Sequence, residues 1–487
     1  MGLDTGQQTT SQRTLYSQLL FVIRKSAVMK DNTAWSSKLF SEYHRLEKQY
    51  NLYPAPTLFQ HSISNFERFR VLRDQRKTLK PLAINVNIPF CSNACYYCSS
   101  NSTVTKDRSL GASYIHCLEQ EIRLVARHLN SSQPVKQLHF GGGTPTFLKP
   151  NELKRLMDCL KNHFNIHSNH FTQYTIDIDP READWSTMGV LRDIGFNQVN
   201  IEVQGLDPDV QHAINRLQSI EQTQTIVDAA RTLQFRNISI SLTYGLPKQT
   251  FASFSKAISQ VIQLSPERVI LHGYKHQPNR YPRQKHIKAN ELPSPRCIEY
   301  MLNHALQQFT RAGYQYIGMG LFALTHDELT SAQEDGSLHY GLNGYTTSPN
   351  CNTLGFGVSA ISQFGSLYYQ NTHDLFDYQA ACSQQQLSPA KSLCFNIIDQ
   401  VKRYITQALA CQFSVNFTCI EQFYQVNCKT LFQAQWPQLE QMHADGLLTL
   451  SEHNLTITEQ GRLFTAAVCQ LFNDSIEQDT TLKAATF

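Results

Sequence analysis

The chain has 487 residues, which is enough for two or three domains with well-buried cores. Hydrophobic residues make up 41%, charged residues 17%, and the formal net charge is +4, a balance that is ordinary for a globular protein and gives no sign of a nucleic-acid binder. No apolar run in the sequence approaches the length that spans a bilayer.

Residues 1 to about 80 mix aromatic and basic residues and are predicted to form a helical, irregular extension. Polar Gln, Thr and Ser fill the first dozen residues, so we expect no signal peptide. The 13 cysteines are an odd number, and most stand alone inside apolar or helical stretches. They indicate free thiols in a reducing, cytoplasmic compartment rather than a disulfide framework.

From about Leu82, short runs that favour strands alternate with amphipathic stretches of helical period. The strand candidates are "AINVNI", "VKQLHF", "QYTIDI", "QVNIEV", "NISISLTY" and "RVILHGY". The helix candidates between them are "ASYIHCLEQEIRLVARHL", "NELKRLMDCLKNHF", "MGVLRDIG", "SIEQTQTIVDAARTL" and "FASFSKAISQVIQL". Six strands alternating with helices predict an α/β fold with a parallel array, closed or partly closed like a TIM barrel. A doubly wound open sheet is the alternative.

Beyond about Gly341 this alternation fades. The C-terminal tail favours two helices followed by a small hairpin with its turn at "SEHN". That order predicts a winged-helix-like module, which with so few Lys and Arg is a packing domain rather than a DNA-binding one. We therefore expect three domains: a helical extension over 1–80, the βα domain over 81–341 and a mostly helical domain over 342–487.

Three cysteines form the most specific motif in the chain. Cys91, Cys95 and Cys98 are spaced C-x3-C-x2-C and directly follow the first predicted strand, at the end where parallel βα folds carry their chemistry. Zinc is one candidate ligand, but a structural zinc site needs four protein ligands, and the sequence offers no obvious partner motif. A four-iron cluster fits better, because three cysteines leave one iron open for an exogenous ligand.

The motif, its place after the first strand, and the aromatic Tyr97 before the last cysteine resemble the radical S-adenosylmethionine enzymes. In that family S-adenosylmethionine chelates the open iron, and the reduced cluster cleaves it to methionine and a 5′-deoxyadenosyl radical. The resemblance implies a partial (β/α)6 TIM-like barrel. It also implies a [4Fe-4S] cluster on Cys91, Cys95 and Cys98, which serve as both metal ligands and catalytic centre.

A closer resemblance covers the chain from about residue 80 into the C-terminal domain. Eight stretches run in the same order as in oxygen-independent coproporphyrinogen III oxidase: "QLHFGGGTPTFL", "DIDPRE", "VQGLDPDVQHAINR", "YGLPKQT", "LPSP", "GYQYIGM", "GYTT" and "LGFGVSAIS". This family of haem biosynthesis converts two propionates of coproporphyrinogen III to vinyl groups, giving protoporphyrinogen IX. The resemblance implies a tetrapyrrole substrate, an electron donor and an electron acceptor of unknown identity, and we expect a monomer.

The resemblance further implies contacts to the cofactor. Gly142, Gly143 and Thr144, at the end of the second strand, are similar to the residues that contact the methionine part, although a tight turn would also use glycines. Asp177 would accept from the ribose hydroxyls. Ile361 would offer an apolar wall to the adenine.

A second S-adenosylmethionine binds in the family, and here its site departs from the family pattern. Gln204 and Arg216 match family contacts, although a solvated arginine is the plain alternative for Arg216. Ser241 replaces an aspartate that contacts this cofactor, and Lys275 replaces a small alanine. The second site is therefore doubtful. Lys275 would instead suit a propionate, together with Arg280 and Arg283, although a solvated basic loop is the alternative.

Other departures lie near the first cofactor and the substrate. Asn85 and Asn87 stand where the family has Tyr and His before the cluster, and Asp177 stands where Glu is usual. Gly320 and Leu321 replace an Asp-His pair, and Ser100 replaces an extra cysteine.

Three functions therefore remain open at this point. The first is an active coproporphyrinogen oxidase, which the intact cysteines and glycines favour. The second is a diverged radical enzyme acting on another tetrapyrrole. The third is a non-catalytic haem-binding or trafficking protein.

Overall fold

The computed structural model describes residues 37–47, 53–55, 58–167, 169 and 172–473. The predicted N-terminal extension, residues 1–80, therefore lies partly outside the described residues. The first residues of the chain, for which we expect no signal peptide, lie wholly outside them. Among the described helices, none combines the length and the apolar character that crossing a membrane requires.

The bounds of the helices and strands in the described residues are as follows. In chain order the helices are α1 (Ser37–Glu47), α2 (Asn65–Asp74), α3 (Ser109–Ala126), α4 (Pro150–His163), α5 (Trp185–Ile194), α6 (Pro208–Ala213), α7 (Ile220–Thr232), α8 (Phe251–Leu264), α9 (Pro295–Arg311), α10 (Glu328–Glu334), α11 (Leu375–Ser383), α12 (Ile397–Gln412), α13 (Phe417–Tyr424), α14 (Cys428–Leu431), α15 (Trp436–Ala444) and α16 (Thr465–Asn473). The strands are β1 (His61–Ser62), β2 (Leu82–Ile88), β3 (Phe90–Cys91), β4 (Thr103–Val104), β5 (Val135–Gly142), β6 (Gln173–Ile178), β7 (Gln198–Gln204), β8 (Asn237–Tyr244), β9 (Arg268–Gly273), β10 (Tyr314–Gly318), β11 (Leu321–Leu324), β12 (His339–Gly341), β13 (Gly344–Thr346), β14 (Asn352–Phe356), β15 (Ile361–Phe364), β16 (Leu367–Asn371), β17 (Ala390–Cys394), β18 (Ser414–Asn416), β19 (Leu448–Leu450) and β20 (Asn454–Ile457).

The six predicted parallel strands are confirmed. They are neighbours in the order β2-β5-β6-β7-β8-β9, and each pair is parallel. The order rises steadily along the chain, which is the singly wound order of a βα barrel. A doubly wound sheet would instead reverse its order at a switch point. The predicted partial barrel is therefore the correct fold class.

Side chains alternate along these strands between an apolar outer face and a polar inner face. In β6, Tyr174 and Ile176 are almost fully buried, whereas Asp177 between Ile176 and Ile178 is only half-buried. The same alternation places Glu202 of β7 among the half-buried residues while its apolar neighbours are buried. The helices cover the apolar face, so the polar face lines the interior where the strands end.

The sheet extends beyond these six strands. β14 pairs in parallel with β2, and β15, β16, β17 and β1 follow it with antiparallel pairings. At the other side, β11 and β10 add an antiparallel pair to β9. In the described residues the sheet has thirteen strands, and by their pairings β1 is the strand at one end of the order and β10 the strand at the other.

The chain divides into two compact units at points that differ from the predicted boundaries. The larger unit consists of Ala55–Thr330 and Ser348–Phe395, and the smaller of Met1–Pro54, Ser331–Thr347 and Asn396–Phe487. Residues 352–394 belong with the larger unit because their strands pair with its sheet. The three predicted domains themselves stay a prediction.

The smaller unit contains the predicted tail. Helices α13, α14 and α15 precede the antiparallel strands β19 and β20, with the connection at 451–453, and β18 completes a three-stranded sheet. The predicted order of helices followed by a hairpin at "SEHN" is therefore present, but with three helices instead of the predicted two and with β18 as an additional strand.

Candidate functional site

The three cysteines lie on a loop that begins at the carboxyl end of β2. Short strands β3 and β4 close the loop, since the amide of Thr105 donates to the carbonyl of Cys91 over 2.9 Å. Residues beyond β7 and β9 hold its middle: Asn215 Nδ2 donates to the carbonyl of Ala94 over 2.7 Å, and Gln284 Nε2 donates to the carbonyl of Tyr97 over 3.0 Å. The loop is therefore tied to several strands of the barrel.

Hydrogen-bond donors surround the thiols. Thr144 Oγ1 lies 3.7 Å from the sulfur of Cys91, and the backbone amide of Ser100 lies 3.4 Å from the sulfur of Cys98. Arg181 Nη2 approaches the sulfur of Cys95 to 3.6 Å, and Arg216 Nη1 to 3.9 Å. Burial raises the pKa of the Cys91 thiol, against the lowering effect of its hydroxyl donors. Donors and cations of this kind stabilise thiolates that bind a metal.

These residues fit an iron–sulfur cluster by the chemistry of the donor set. In the described residues, no group of three His, Cys, Asp or Glu side chains is already arranged to hold a metal ion. The fit therefore rests on three thiols on one loop, on the amide and hydroxyl donors aimed at their sulfurs, and on two guanidinium groups that offset thiolate charge.

Glycines at the end of β5 allow it to approach β2 closely. Gly142 has φ +107°, and a Cβ there would lie 1.8 Å from Oδ1 of Asn87. A Cβ on Gly143 would lie 2.5 Å from the carbonyl oxygen of Phe90, and the amide of Thr144 donates to that oxygen over 2.8 Å. These glycines are therefore required by the backbone approach itself, beside the cysteine loop.

Asp177 is the last residue but one of β6 and faces the interior. Its Oδ1 accepts from Nε2 of His139 at 3.0 Å and from Nδ2 of Asn200 at 2.9 Å. Burial alone would raise the pKa of this carboxyl, but the pairing with His139 outweighs it and holds the pKa below its usual value. The pKa of His139 is raised, because Asp177 outweighs the lowering effect of burial.

A buried ion-pair cluster lies beneath the cysteine loop. Asp179 Oδ2 accepts from Arg181 at 2.7 Å and from Arg216 at 2.8 Å, and both arginine side chains are mostly buried. Against the effect of burial, these two cations lower the pKa of Asp179 to about 2. Arg216 is thus not a solvated arginine, and its buried Nε has no hydrogen-bond partner in the described residues.

The remaining polar residues of the interior bind one another. Gln204 donates to the carboxylate of Glu202 and accepts from Thr243, and Ser241 Oγ lies 3.3 Å from Oε1 of Glu202. Gln204 and Arg216 are therefore engaged with protein groups, Arg216 also through the carbonyl of Glu202. Burial, and next the charge of Asp177, raise the pKa of Glu202 to about 7.

The structure places the other predicted residues as follows. Tyr97 packs against an apolar cluster that includes Ile214 and Tyr274, and burial raises its pKa. Ile361 begins β15, half-buried, with its carbonyl against Gly355, which pairs with Asn85 of β2. The cysteines, the glycines, Asp177 and Arg216 therefore come together at the strand ends, and Ile361 lies across β14 from β2.

The departures from the family pattern have structural partners. Asn87 Nδ2 donates to the carbonyl of Val358. Gly320 has φ +83°, and a Cβ there would lie 2.3 Å from the carbonyl oxygen of Leu271, so an aspartate does not fit this backbone. Arg283 donates to Ser102 Oγ over 2.8 Å and therefore holds the cysteine loop. Arg280 stacks on the ring of Tyr281.

Sequence reasoning missed His139, Asp179, Arg181 and Glu202. Asp179 and Arg181 lie inside the quoted motif "DIDPRE". The number of charged residues in this short stretch could have indicated that they belong to the site. His139 and Glu202 are inner-face residues of strands, and alternation along "QLHF" and "NIEV" could have placed them on one face but does not indicate their partners.

Comparisons with known proteins show which family the chain resembles. Residues 86–261 match the model of the Radical SAM superfamily. The chain is 47% identical over 445 residues to the oxygen-independent coproporphyrinogen III oxidase of Pseudomonas aeruginosa, covering 91% of this chain and 97% of that protein. It is 34% identical over 449 residues to the enzyme of the same name from Salmonella typhimurium, covering 92% and 97%. The solved structure of coproporphyrinogen III oxidase from Escherichia coli, described as a radical SAM enzyme, superposes with a TM-score of 0.84 at 34% identity, covering 91% of this chain and 99% of that one.

Proposed function

Because the chain belongs to the oxygen-independent coproporphyrinogen III oxidase family, we propose that it converts two propionates of coproporphyrinogen III to vinyl groups. Each propionate loses one hydrogen atom from its β-carbon, one CO₂ and one electron, and a vinyl group remains. The observation that carries the proposal is the 47% identity over 91% of the chain, which includes the intact cysteine motif. The monomeric state and the cytoplasmic location stay predictions.

The cofactors of the family are a [4Fe-4S] cluster and S-adenosylmethionine. When bound, they supply a one-electron reduction and an organic radical that takes a hydrogen atom from an unactivated carbon. Cys91, Cys95 and Cys98 would hold the cluster, and Gly142, Gly143, Thr144, Asp177 and Ile361 would hold the first S-adenosylmethionine. An electron donor and an electron acceptor must come from outside the chain.

The chain's own residues position and shield these groups. Arg181 and Arg216 place positive charge beside the sulfur of Cys95, where it would offset the negative charge of a metal-bound cluster. The tie between the cysteine loop and Gln284 keeps the loop over the strand ends. The half-buried interior is lined by Asp177 and Glu202. It would give the cofactor polar contacts and shield it from bulk water.

Basic residues after β9 are proposed to take the substrate's propionates. Lys275 lies two residues beyond the end of β9, and Arg280 lies on the same connection. Charge-assisted hydrogen bonds from such groups suit carboxylates. Arg283 is left out of this role because its guanidinium is already committed to Ser102.

An anoxic turnover assay tests the proposal. Reconstituted protein, dithionite, S-adenosylmethionine and an electron acceptor should convert coproporphyrinogen III to protoporphyrinogen IX, with 5′-deoxyadenosine as a second product. If the chain were a haem-binding protein, it would bind a tetrapyrrole, and the tetrapyrrole would lose no CO₂. If it were an enzyme for another tetrapyrrole, coproporphyrinogen III would stay unchanged. Either result would contradict the proposal.

Replacing Asp177 by alanine is expected to weaken binding of S-adenosylmethionine by about 1–3 kcal/mol. This is the usual loss when a hydrogen bond to a charged group is removed. Equilibrium binding to the anaerobically reconstituted protein measures the effect. Asp158→Ala is the matched control, because this carboxylate borders a surface cleft between α3 and α4. Equal affinity in wild type and Asp177→Ala would place the ribose contact elsewhere.

Equilibrium binding should show one tight S-adenosylmethionine per chain. Three contacts support this expectation. The amide of Gln204 is bound to Glu202 and Thr243, both Nη atoms of Arg216 are bound to Asp179 and the carbonyl of Glu202, and Ser241 lies against Glu202. Saturation at two tight equivalents would contradict the prediction. Loss of the second equivalent in Glu202→Gln would then show that this carboxylate replaces the aspartate expected at position 241.

A further inference from the structure

His139 and Asn200 bind the same oxygen of Asp177. The donors lie 3.0 Å and 2.9 Å from Oδ1, and they come from the two strands that flank β6. In the described part of the chain, no hydrogen bond from a protein group reaches Oδ2. One carboxylate oxygen is therefore fixed by protein donors, while the other remains available to a ligand.

Gly141 makes this arrangement possible. A Cβ at that position would lie 2.6 Å from Oδ2 of Asp177 and 2.5 Å from Cε1 of His139. The pair therefore lies directly over the glycine, in a space that any other residue would fill. The side chains of His139 and Asp177 are 24% and 25% exposed, so a ligand in the interior reaches them.

We propose that His139 is a positioning residue that holds Asp177 so that Oδ2 accepts the ribose hydroxyls of S-adenosylmethionine. The proposal rests on the ribose contact of Asp177 given under the proposed function. A carboxylate oxygen with two lone pairs suits two neighbouring hydroxyl donors. An aspartate side chain is shorter than the glutamate side chain usual in the family. The position of its carboxylate therefore depends closely on the backbone of β6 and on the donors that orient it.

Charge in the interior supports this role. His139 and Asp177 shift each other's pKa in the directions expected of an ion pair. The neighbouring carboxyl of Glu202 has its pKa raised to about 7, burial being the largest cause and Asp177 the next. Of the two acids, Asp177 is therefore the one whose lowered pKa favours the charged form, and the raised pKa of His139 favours the charged imidazole that faces it.

The test compares binding of S-adenosylmethionine and S-adenosylhomocysteine under anoxic conditions. Both probes carry the same ribose, but only the first carries a sulfonium. His139→Ala should weaken both by a similar factor, roughly tenfold, as expected for about 1.4 kcal/mol. His139→Gln should recover most of the affinity, because its amide nitrogen reaches a position close to imidazole Nε2. His116→Gln, on the exposed side of α3, is the control and should change nothing.

A double variant shows whether His139 acts through Asp177. If it does, His139→Ala should cause no further loss in an Asp177→Ala background. Additive losses, or an unchanged affinity in His139→Ala, would overturn the positioning role. An unchanged affinity in Asp177→Ala would overturn it as well, while leaving the turnover assay to decide the proposed function separately. Should His139→Ala fail to fold, His139→Gln decides alone: it must bind both probes within a few-fold of wild type.

Discussion

Cys95→Ala is expected to reduce the iron content of anaerobically reconstituted protein from about four irons per chain to near zero. Cys95 is the middle cysteine of the motif, and two guanidinium groups point at its sulfur. With two thiolates left on the loop, the remaining ligands do not hold a four-iron cluster. Iron analysis and the loss of the broad thiolate-to-iron absorption measure the effect.

The matched control is Cys297→Ala. Cys297 is a free, partly buried thiol near the start of α9, outside the loop. Its removal should leave both iron content and absorption unchanged. Full iron content in Cys95→Ala would rule out the cluster assignment, whereas loss of iron in both variants would indicate a general folding defect.

Arg216→Met is expected to destabilise the protein by roughly 2–4 kcal/mol at neutral pH. The variant leaves the buried carboxylate of Asp179 with Arg181 as its remaining cation, and removing one partner of a buried pair is costly. The carbonyl of Glu202 also loses its guanidinium donor. Urea unfolding followed by fluorescence measures the change.

The pH dependence of this loss has a defined sign. The folded-state pKa of Asp179 is depressed to about 2, so its contribution to stability is present above the unfolded value near 3.9. The contribution, roughly 2 kcal/mol, is lost as the pH falls through the folded value. The difference between wild type and Arg216→Met should therefore be constant from about pH 7 to 5 and shrink between about pH 4 and 2.

Arg123→Met is the control for this prediction. Arg123 is half-exposed on α3 and lies 3.7 Å from Glu119, which is buried but also pairs with Arg155 at 2.7 Å. Removing the half-exposed, longer partner should therefore cost less than about 1 kcal/mol. Equal losses in Arg123→Met and Arg216→Met, or a loss in Arg216→Met that does not depend on pH, would show that the Asp179 cluster does not carry the stability assigned to it.

The sequence predicted the fold best where a local pattern of residues is enough to determine the element and its place in the sheet. The six parallel strands were predicted because their buried positions are apolar and their ends carry turn residues. The predicted boundary at 341 differs from the limits of the compact units, because the short strands β14 to β17 belong to the sheet of the larger unit. Their place in the sheet depends on long-range pairing, such as that of Asn352 with Leu82. No local sequence pattern predicts such pairing.

The candidate site was predicted only in part for a similar reason. The cysteine motif is local, and its spacing together with its place after the first strand predicts a metal site. His139, Asp177 and Glu202 lie on three strands that are far apart in sequence, and their coupling depends on strand order and register. The glycine at position 320 could not be explained from sequence either, since the carbonyl oxygen of Leu271, which leaves no room for a Cβ there, comes from a strand distant in the sequence.

Deuterium transfer from the substrate tests the central claim most directly. Coproporphyrinogen III deuterated at the propionate β-carbons is incubated anoxically with the reconstituted protein, dithionite, S-adenosylmethionine and an electron acceptor. The account predicts protoporphyrinogen IX together with 5′-deoxyadenosine that carries deuterium, and neither product from Cys95→Ala. Unlabelled 5′-deoxyadenosine formed without loss of CO₂ from the substrate would contradict the claim that this chain oxidises coproporphyrinogen III.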